Sequence, residues 1–469
     1  MRRHLSTAEH VHFIGIGGYG MSAIAKVMLE KGYKVSGSDV DRQERTDKLA
    51  AQGARIYIGH KPEHVVGAQL VVYSTAIAQD DVERRAAEER NIPVIHRSQM
   101  LARLLNTGRG IAVAGAHGKT TTSSMIALVM ESCGLDPTYI IGGEIVGLDT
   151  NAKAGNGEYV VAEADESDGS FLQYEPHTAV VTNIEPDHLE NYDGDFGKLK
   201  EAYVRFLQQV KPEGFALVCV DDPNIRELLP RLEAVRTVTY AIEPGREADY
   251  QAVDITPGDR RVSFTAVKDG RRLGRVDLSV PGRHNAGNAL AAIAVCLEAG
   301  LSFDRVAEAI RLFRGAKRRF QVIGEAGGIL VIDDYAHHPT EIRATIAAAK
   351  ATGKRIIAVF QPQRYSRTFF LLDAFSRAFP EADEVVITDI YSPVGEKAIE
   401  GVTSKKLAEL IVRNSNPNTT YLPTKEDVLA WLLERVKPGD LVLTMGAGDI
   451  WKTAKELARE LDGRYAAKG

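Results

Sequence analysis

Cysteine is scarce in this 469-residue chain. The three that occur, Cys133, Cys219 and Cys296, are odd in number, widely spaced and each set in apolar sequence. They exclude a disulfide framework and lack metal-ligand spacing, so the expectation is a reducing, cytoplasmic compartment and no zinc centre. Long hydrophobic runs are missing too: no apolar stretch approaches the roughly 18 residues of a membrane span, so no membrane insertion is expected. The opening MRRHLSTAEHVHFIGIGG is basic, but its apolar part is short and runs into glycines, unlike a signal peptide. Neither charge sign dominates. With 58 basic and 63 acidic residues and a net charge of −5, nothing electrostatic points to nucleic acid or an anionic membrane surface as the main partner. Repeats and low-complexity segments are absent. What remains is an ordinary globular composition, 44% apolar and 26% charged, long enough for about three domains at about 100 to 200 residues each.

The first hundred residues alternate short β-rich runs with helical patterns: VHFIGIGG, MSAIAKVMLEKGY, KVSGSDV and later LVVYSTA. That rhythm predicts βαβ units on a parallel sheet. The polar stretch Asn106 to Gly110 precedes a new buried strand and marks a boundary. EYVVAEAD, HTAVVTNI and GFALVCVDD predict further strands, and RRVSFTAVKDGRRLGRVDLSV predicts an antiparallel meander with a Lys-Asp-Gly turn. A helix, HNAGNALAAIAVCLEAG, leads to a basic junction, GAKRRFQ. Beyond it GILVIDDYAHH, RIIAVFQPQRYSRT, EVVITDIYSP and DLVLTMGAGD predict a third α/β domain.

Two glycine-rich turns carry chemistry. Gly15, Gly17 and Gly20 fit G-x-G-x-x-G between strand and helix, with Asp39 ending the next strand. This pattern suits a diphosphate at a helix N-terminus and a carboxylate on a ribose hydroxyl. Alone it reads as an NAD-dependent oxidoreductase, but a UDP-sugar presents the same groups, and a tight turn that binds nothing is the bland alternative. The second turn is more specific. After the strand IAVA come Gly115, Ala116, His117, Gly118, Lys119, Thr120 and Thr121, opening a helix. Backbone amides can cradle phosphates there, Lys119 can reach the β- and γ-phosphates, and the Thr120 hydroxyl can ligate Mg²⁺. The loop is a shortened one, because Val113 stands where the longer motif has its first glycine. Two other strands end in clusters that could supply the rest of a Mg-ATP site: the acids Glu163 and Asp165, with Glu166 and Asp168 beyond, and the set Asn183, Glu185, Asp187 and His188. In a parallel sheet all three strand ends share one edge. An oxidoreductase has no use for that set.

In order, GIGGYGMS, GAHGKTTT, EADESDGSF, TNIEPDH, GRHNAGNALAA, KRRF, DDYAHHPTEI and QPQRYSRT resemble the Mur ligases over essentially the whole chain. The resemblance implies an α/β protein of three domains. These are a Rossmann-like UDP-binding domain at 1–107, a P-loop-type ATPase-like domain at 108–316 with a mixed sheet and small antiparallel subdomain, and a Rossmann-like domain at 317–469 that closes over the site. It further implies an ATP-dependent ligase that joins L-alanine to the lactyl carboxylate of UDP-N-acetylmuramate through an acyl phosphate, in peptidoglycan precursor synthesis. The small-molecule partners would be these three substrates, and the protein a monomer or homodimer.

The implied roles follow residue by residue. Lys119 would stabilise the γ-phosphate, while Thr120, Glu163 and His188 would hold two Mg²⁺ ions, with Mn²⁺ as a substitute. Asn285 and Asn288 would contact the nucleotide, and Arg319 and Asp334 would reach ATP from the hinge and the third domain. Tyr335, His337, Arg364 and Arg367 would bind L-alanine, an arginine fork suiting its carboxylate. Gly17, Gly18, Asp39, Ser74 and Thr75 would contact UDP, with Met21 and Ser22 as further candidates. Some later-acting relatives carry a carbamoylated lysine near the second metal. Lys198 and Lys200 lie nearby but in no recognisable context, so coordination through His188 without a carbamate is the expectation. His338 reads equally as a helix cap, and Gly446 to Asp449 as a structural turn. The rival readings are a recycling ligase that attaches a preformed tripeptide to the same sugar nucleotide, an oxidoreductase, and a non-catalytic nucleotide-binding regulator. The two arginines of QPQRYSRT, three apart, favour the single amino acid.

Overall fold

A computed structural model of the chain describes residues 9–167, 169–392 and 396–466. Asp168 lies outside the described residues. The chain divides into two compact units, one of Met1–Val253, Ala266–Gly274 and Gly287–Ile310, the other of Asp254–Thr265, Arg275–Ala286 and Arg311–Gly469.

The first unit begins with the expected βαβ rhythm. Strands His10–Ile14, Lys34–Asp39, Arg55–Ile58, Leu70–Tyr73 and Val94–His96 form a wholly parallel sheet, in the order third, second, first, fourth, fifth. The order reverses between the first and fourth strands, and ligands of open α/β sheets enter at such a switch point. The first glycine turn leaves the sheet there, and Ser74 and Thr75 follow the fourth strand. A polar network lies just beneath. Glu83, on helix Val82–Glu89, is fully buried. One of its oxygens lies 3.0 Å from His12 Nε2 and accepts from Ser38 Oγ at 2.6 Å. The other accepts the Lys61 N–H at 3.0 Å and lies 2.6 Å from His64 Nδ1. Burial pushes the Glu83 carboxyl up, but the hydrogen bonds from His12, Ser38 and the Lys61 N–H outweigh it and hold the pKa at about 2. The Ser38 carbonyl in turn accepts the N–H groups of Gly15 and Ile16.

The second sheet is mixed. Its parallel part runs Thr237–Ala241, Phe215–Cys219, Thr178–Val181, Arg109–Ala114, Tyr159–Glu163, Thr138–Ile145, and Thr150–Lys153 adds an antiparallel edge. At the opposite edge the expected meander is made by Tyr250–Gly258, Arg261–Lys268 and Arg271–Leu278. Its Asp269-Gly270 turn has φ of 48° and 73°, the doubly positive pattern of a tight hairpin that matches strand twist. Buried apolar packing continues from the first sheet into this one, from Val11 and Met28 through Leu105 to Ala112, Val181 and Phe206. Helix Tyr19–Glu30 packs against Thr138–Ile145 and the edge strand Thr150–Lys153. Lys26 Nζ donates to Thr150 Oγ1 and the Ala154 N–H to Glu30, each at 2.7 Å.

In the second unit the order is Gln321–Ala326, Ile329–Asp334, Asp440–Met445, Arg355–Phe360, Glu384–Ile387, Thr419–Tyr421. All pairs are parallel except the first. Four of these strands were expected; the short edge strands Gln321–Ala326 and Thr419–Tyr421 are additional. Buried clusters cover both faces, around Phe360, Phe375 and Phe379 on one and Leu432, Leu457 and Leu461 on the other. The cysteines are free, Cys133 and Cys296 buried and Cys219 half-buried. Among the described residues no helix is long and apolar enough to cross a membrane.

Candidate functional site

The strand before the second glycine turn, Arg109–Ala114, lies between Tyr159–Glu163 and Thr178–Val181, all parallel. Three loops therefore leave the same sheet edge side by side, which is the convergence the sequence suggested. The central loop is shaped by backbone that only glycine accepts readily. Gly115 has φ +131°, and a Cβ there would lie 2.1 Å from Thr182 Oγ1; Gly118 has φ +84°, and a Cβ would lie 2.5 Å from Asn288 Oδ1. Asn183 braces the loop from the neighbouring segment. Its Oδ1 accepts the His117 N–H at 2.8 Å, and its Nδ2 donates to the His117 carbonyl at 3.0 Å. Gly118 caps helix Lys119–Ser132, on which Thr120 and Thr121 are buried. Thr122 Oγ1 donates to Asn288 Oδ1 at 3.3 Å.

Lys119 points back under the loop. Its Nζ donates to the Gly115 carbonyl and to both oxygens of Glu166, at 2.8 and 2.9 Å. Burial disfavours the ammonium, but the charge of Glu166 beside it outweighs burial and raises its pKa. Glu163 is held differently: the Gly142 N–H donates to its Oε1 at 2.7 Å, and a Cβ on Gly142 would lie 2.8 Å from Oε2. Asp165 lies 3.5 Å from an Arg97 guanidinium nitrogen. His188, in the left-handed region at φ +55°, donates its N–H to Asp187 at 2.9 Å. Lys198 is paired with Asp193 and Lys200 with Glu227.

At the first turn the Gly17 N–H donates to Asp39 Oδ2 at 2.8 Å, and a Cβ on Gly17 would meet that oxygen at 2.8 Å. Asp39 is buried, so this carboxylate builds the turn itself. Gly18 donates its N–H to the Gly15 carbonyl at 3.2 Å. Ser74 Oγ lies 3.7 Å from where a Gly15 Cβ would stand, and Thr75 Oγ1 is 3.0 Å from His96 Nε2. Met21 and Ser22 are buried on the helix that follows.

In the second unit, Arg318 and Arg319 differ in their polar partners. Arg318 is spent on structure: it pairs with buried Asp333 at 2.9 Å and donates to the Gly446 and Gly448 carbonyls. Both guanidinium groups lie over the Tyr335 ring, 4.9 and 5.3 Å from its centroid, and Arg319 is 3.8 Å from Glu341. Asp334 accepts the Phe320 and Ala336 N–H groups at 2.6 and 2.7 Å, clamping the basic junction to the strand end. Burial pushes its carboxyl up to about 6, against the pull of Arg319 and those two N–H groups. Glu341 accepts the His337 N–H at 2.9 Å, while His338 is the N-cap of helix Pro339–Lys350. Arg364, at φ +69°, and Arg367 flank the start of helix Tyr365–Phe370; Arg367 is buried and donates to Gln363 at 3.0 Å. They leave the sheet two strands from Tyr335 and His337, with Gly446 to Asp449 between. Gln361 accepts the N–H groups of Asp449 and Ile450, so that turn is closed by protein. Asn285 donates to the Pro281 carbonyl at 2.6 Å.

Three family models match in series: the Mur ligase family catalytic domain at 10–109, the Mur ligase middle domain at 113–296, and the Mur ligase glutamate ligase domain at 318–448. The chain is 51% identical over 467 residues to a UDP-N-acetylmuramate–L-alanine ligase of Symbiobacterium thermophilum, covering 98% of this chain and 96% of that one. The chain belongs to the Mur ligase family. A relative of the same description from Pelotomaculum thermopropionicum is 50% identical, covering 97% and 98% of the two chains. Among solved structures, a UDP-N-acetylmuramate-alanine ligase of Thermotoga maritima aligns with TM-score 0.80 at 28% identity, covering 98% and 100%. A murein peptide ligase of Psychrobacter arcticus aligns with TM-score 0.70 at 26% identity, covering 97% and 99%.

Within this Mur ligase, the contacts of three site residues are not legible in the sequence. Gly142 had a signal, a glycine pair inside an apolar strand, which often marks close approach of another group. Asn183 stood out only as part of a polar strand end, and nothing local tied it to His117. Glu166 reads from sequence as one of a run of acids suited to Mg²⁺, and no local signal pairs it with Lys119, which both of its oxygens face.

Proposed function

We propose that this Mur ligase joins L-alanine to the lactyl carboxylate of UDP-N-acetylmuramate, with cleavage of ATP to ADP and phosphate. The observation that carries the reading is the braced loop with Lys119 between two acid-bearing strand ends, in a chain about half identical to alanine-adding ligases over nearly its whole length. A carboxylate oxygen attacks the γ-phosphorus, the bond to the β-bridging oxygen breaks, and ADP leaves. The alanine amine then attacks the acyl carbon, loses a proton, and expels phosphate to leave the amide.

Lys119 meets the charge gathering on the transferring phosphoryl group. Thr120, Glu163 and His188 are the proposed Mg²⁺ or Mn²⁺ ligands. The set offers a hydroxyl, a carboxylate and an imidazole, and the Gly142 N–H orients Glu163 through one oxygen, leaving the other for the metal. The bound metal would neutralise charge between nucleotide and carboxylate. The proposed ATP ligands are the loop Gly115–Thr121, Asn285, Asn288 and Arg319, whose guanidinium lies beside Tyr335 and Glu341 within its own unit. Asp334 supports that arginine by fixing the junction. Gly17, Gly18, Ser74 and Thr75 meet the UDP moiety, with Asp39 holding the turn in shape. Tyr335, His337, Arg364 and Arg367 receive alanine. In this reading the chain divides near 107 and 316 into parts for sugar nucleotide, ATP and amino acid.

A phosphate-release assay with Mg-ATP, UDP-N-acetylmuramate and each of L-alanine, glycine, L-serine and the tripeptide tests this. Release that depends on alanine is expected. Its absence, or a preference for the tripeptide, overturns the reading, the latter in favour of a recycling ligase.

A further inference from the structure

Lys119 is the cation on which the proposed phosphoryl transfer depends most, and the fold has already given it a carboxylate. Glu166 offers both oxygens to the same ammonium, at 2.8 and 2.9 Å. Its side chain is 4% exposed, so water cannot substitute for the lysine. Its backbone is tied down as well. The Tyr192 hydroxyl donates to its backbone carbonyl, and the same carbonyl accepts the Gly169 N–H at 3.1 Å, closing a turn. On the other side, the ammonium donates to the Gly115 carbonyl at the mouth of the loop. A metal-binding role suits Glu163, whose second oxygen is not committed to a lysine, better than Glu166.

Two demands meet on one ammonium. Incoming phosphates draw on the donors of the loop, and the lysine is the one side chain there with a permanent charge among Gly115–Thr121. Glu166, buried beside Asp165, needs that same charge to remain ionised at low cost. We propose that Glu166 is a positioning residue that holds the Lys119 ammonium under the loop and competes with the ATP phosphates for it. The handover sets both where the ammonium waits and how tightly nucleotide binds. This inference rests on the proposed role of Lys119 in phosphoryl transfer, but not on which acid and amine are joined.

The experiment compares the parent with Glu166→Gln and Glu166→Asp by calorimetric titration of Mg-ATP and by steady-state kinetics with saturating second substrates. Glu166→Gln keeps shape and one acceptor but removes the competing charge. It is expected to tighten Mg-ATP about fivefold and lower the KM for ATP, while kcat falls about tenfold because the ammonium loses its fixed position. Glu166→Asp keeps the charge one methylene further away, so its Mg-ATP affinity falls between the two. Unchanged or weaker Mg-ATP binding in Glu166→Gln overturns the proposal. Should that variant not fold, Glu166→Asp decides: tighter binding than the parent supports the handover, and equal or weaker binding overturns it. Calorimetry reads the outcome even if alanine-dependent turnover fails in the parent, which would strike the functional reading alone.

Discussion

Each glycine turn of this Mur ligase stands over a buried glutamate, and the two glutamates are treated in opposite ways. Glu83 lies beneath the first turn with acceptors saturated by His12, His64, Ser38 and a backbone N–H, and its carboxyl is held at about 2. Glu166 lies beneath the second with one cation on both oxygens, and burial, with Asp165 nearby, pushes its carboxyl up in spite of Lys119. Four fixed partners make a carboxylate part of the scaffold. A single ammonium as partner makes it conditional, because whatever takes the lysine changes what the carboxylate faces. The first glutamate thus belongs to the scaffold of its turn, and the second, on the handover proposed above, gives up its partner when nucleotide binds.

The largest effect is expected from removing the shared cation. Lys119→Ala should lower alanine-dependent phosphate release about 1,000-fold, since the transferring phosphoryl group loses its buried charge partner. It also leaves Glu166 buried without a cation, so thermal stability should fall. Adding Glu166→Gln to Lys119→Ala should recover most of the lost melting temperature and none of the turnover. Turnover within tenfold of the parent would remove Lys119 from the chemistry. A double variant no more stable than the single one would show that the pair is not coupled.

The first turn should break under acid instead. Glu83 titrates near 4.5 when unfolded and at about 2 when folded, so the stability it contributes is present above pH 4.5 and is lost as pH falls towards 2. The difference corresponds to about 3 kcal/mol at 1.36 kcal/mol per unit. Glu83→Gln should therefore be less stable at neutral pH, and its denaturant midpoint should fall less steeply than the parent's between pH 4.5 and 2. Parallel midpoints across that window would mean that the His12–Glu83 network does not act through ionisation.

What was legible in the sequence was what is local or periodic. Buried parallel strands read as continuous apolar runs, as in LVVY and IAVAG, so the central strands of all three sheets were visible. Val94–His96 and Thr419–Tyr421 were not, because three residues carry too little pattern at an edge. The phosphate loop was visible because strand, glycines, lysine and helix are consecutive. Its supports were not: Glu166 is 47 residues from Lys119, and Asn183 is 66 from His117. Only the fold sets those spacings. Asp39 is the instructive case, since the expected distance from the glycines held, while the carboxylate's observed partner is the Gly17 N–H. The same residue type at the same place can serve a ligand or the turn, and sequence does not separate the two.

Asp39 also supplies the mildest test of the comparison between the turns. A methyl group at position 17 would stand 2.8 Å from Asp39 Oδ2 and 3.1 Å from both Gln43 Nε2 and Thr46 Cγ2. All three are side-chain atoms, not backbone, so the site can shift without unfolding, but the carboxylate is drawn off the Gly17 N–H. Gly17→Ala should raise the KM for UDP-N-acetylmuramate about tenfold, a loss of roughly 1.4 kcal/mol of binding. The KM for ATP should stay within about twofold, because Lys119, Asn183 and the second loop touch none of these atoms. An equal rise in both constants would mean that the two turns respond as one, through helix Tyr19–Glu30 where it is fastened to Thr150 and Ala154. A rise confined to the sugar nucleotide would keep them separate: a rigid turn that only has to fit, and a responsive one that has to release its lysine.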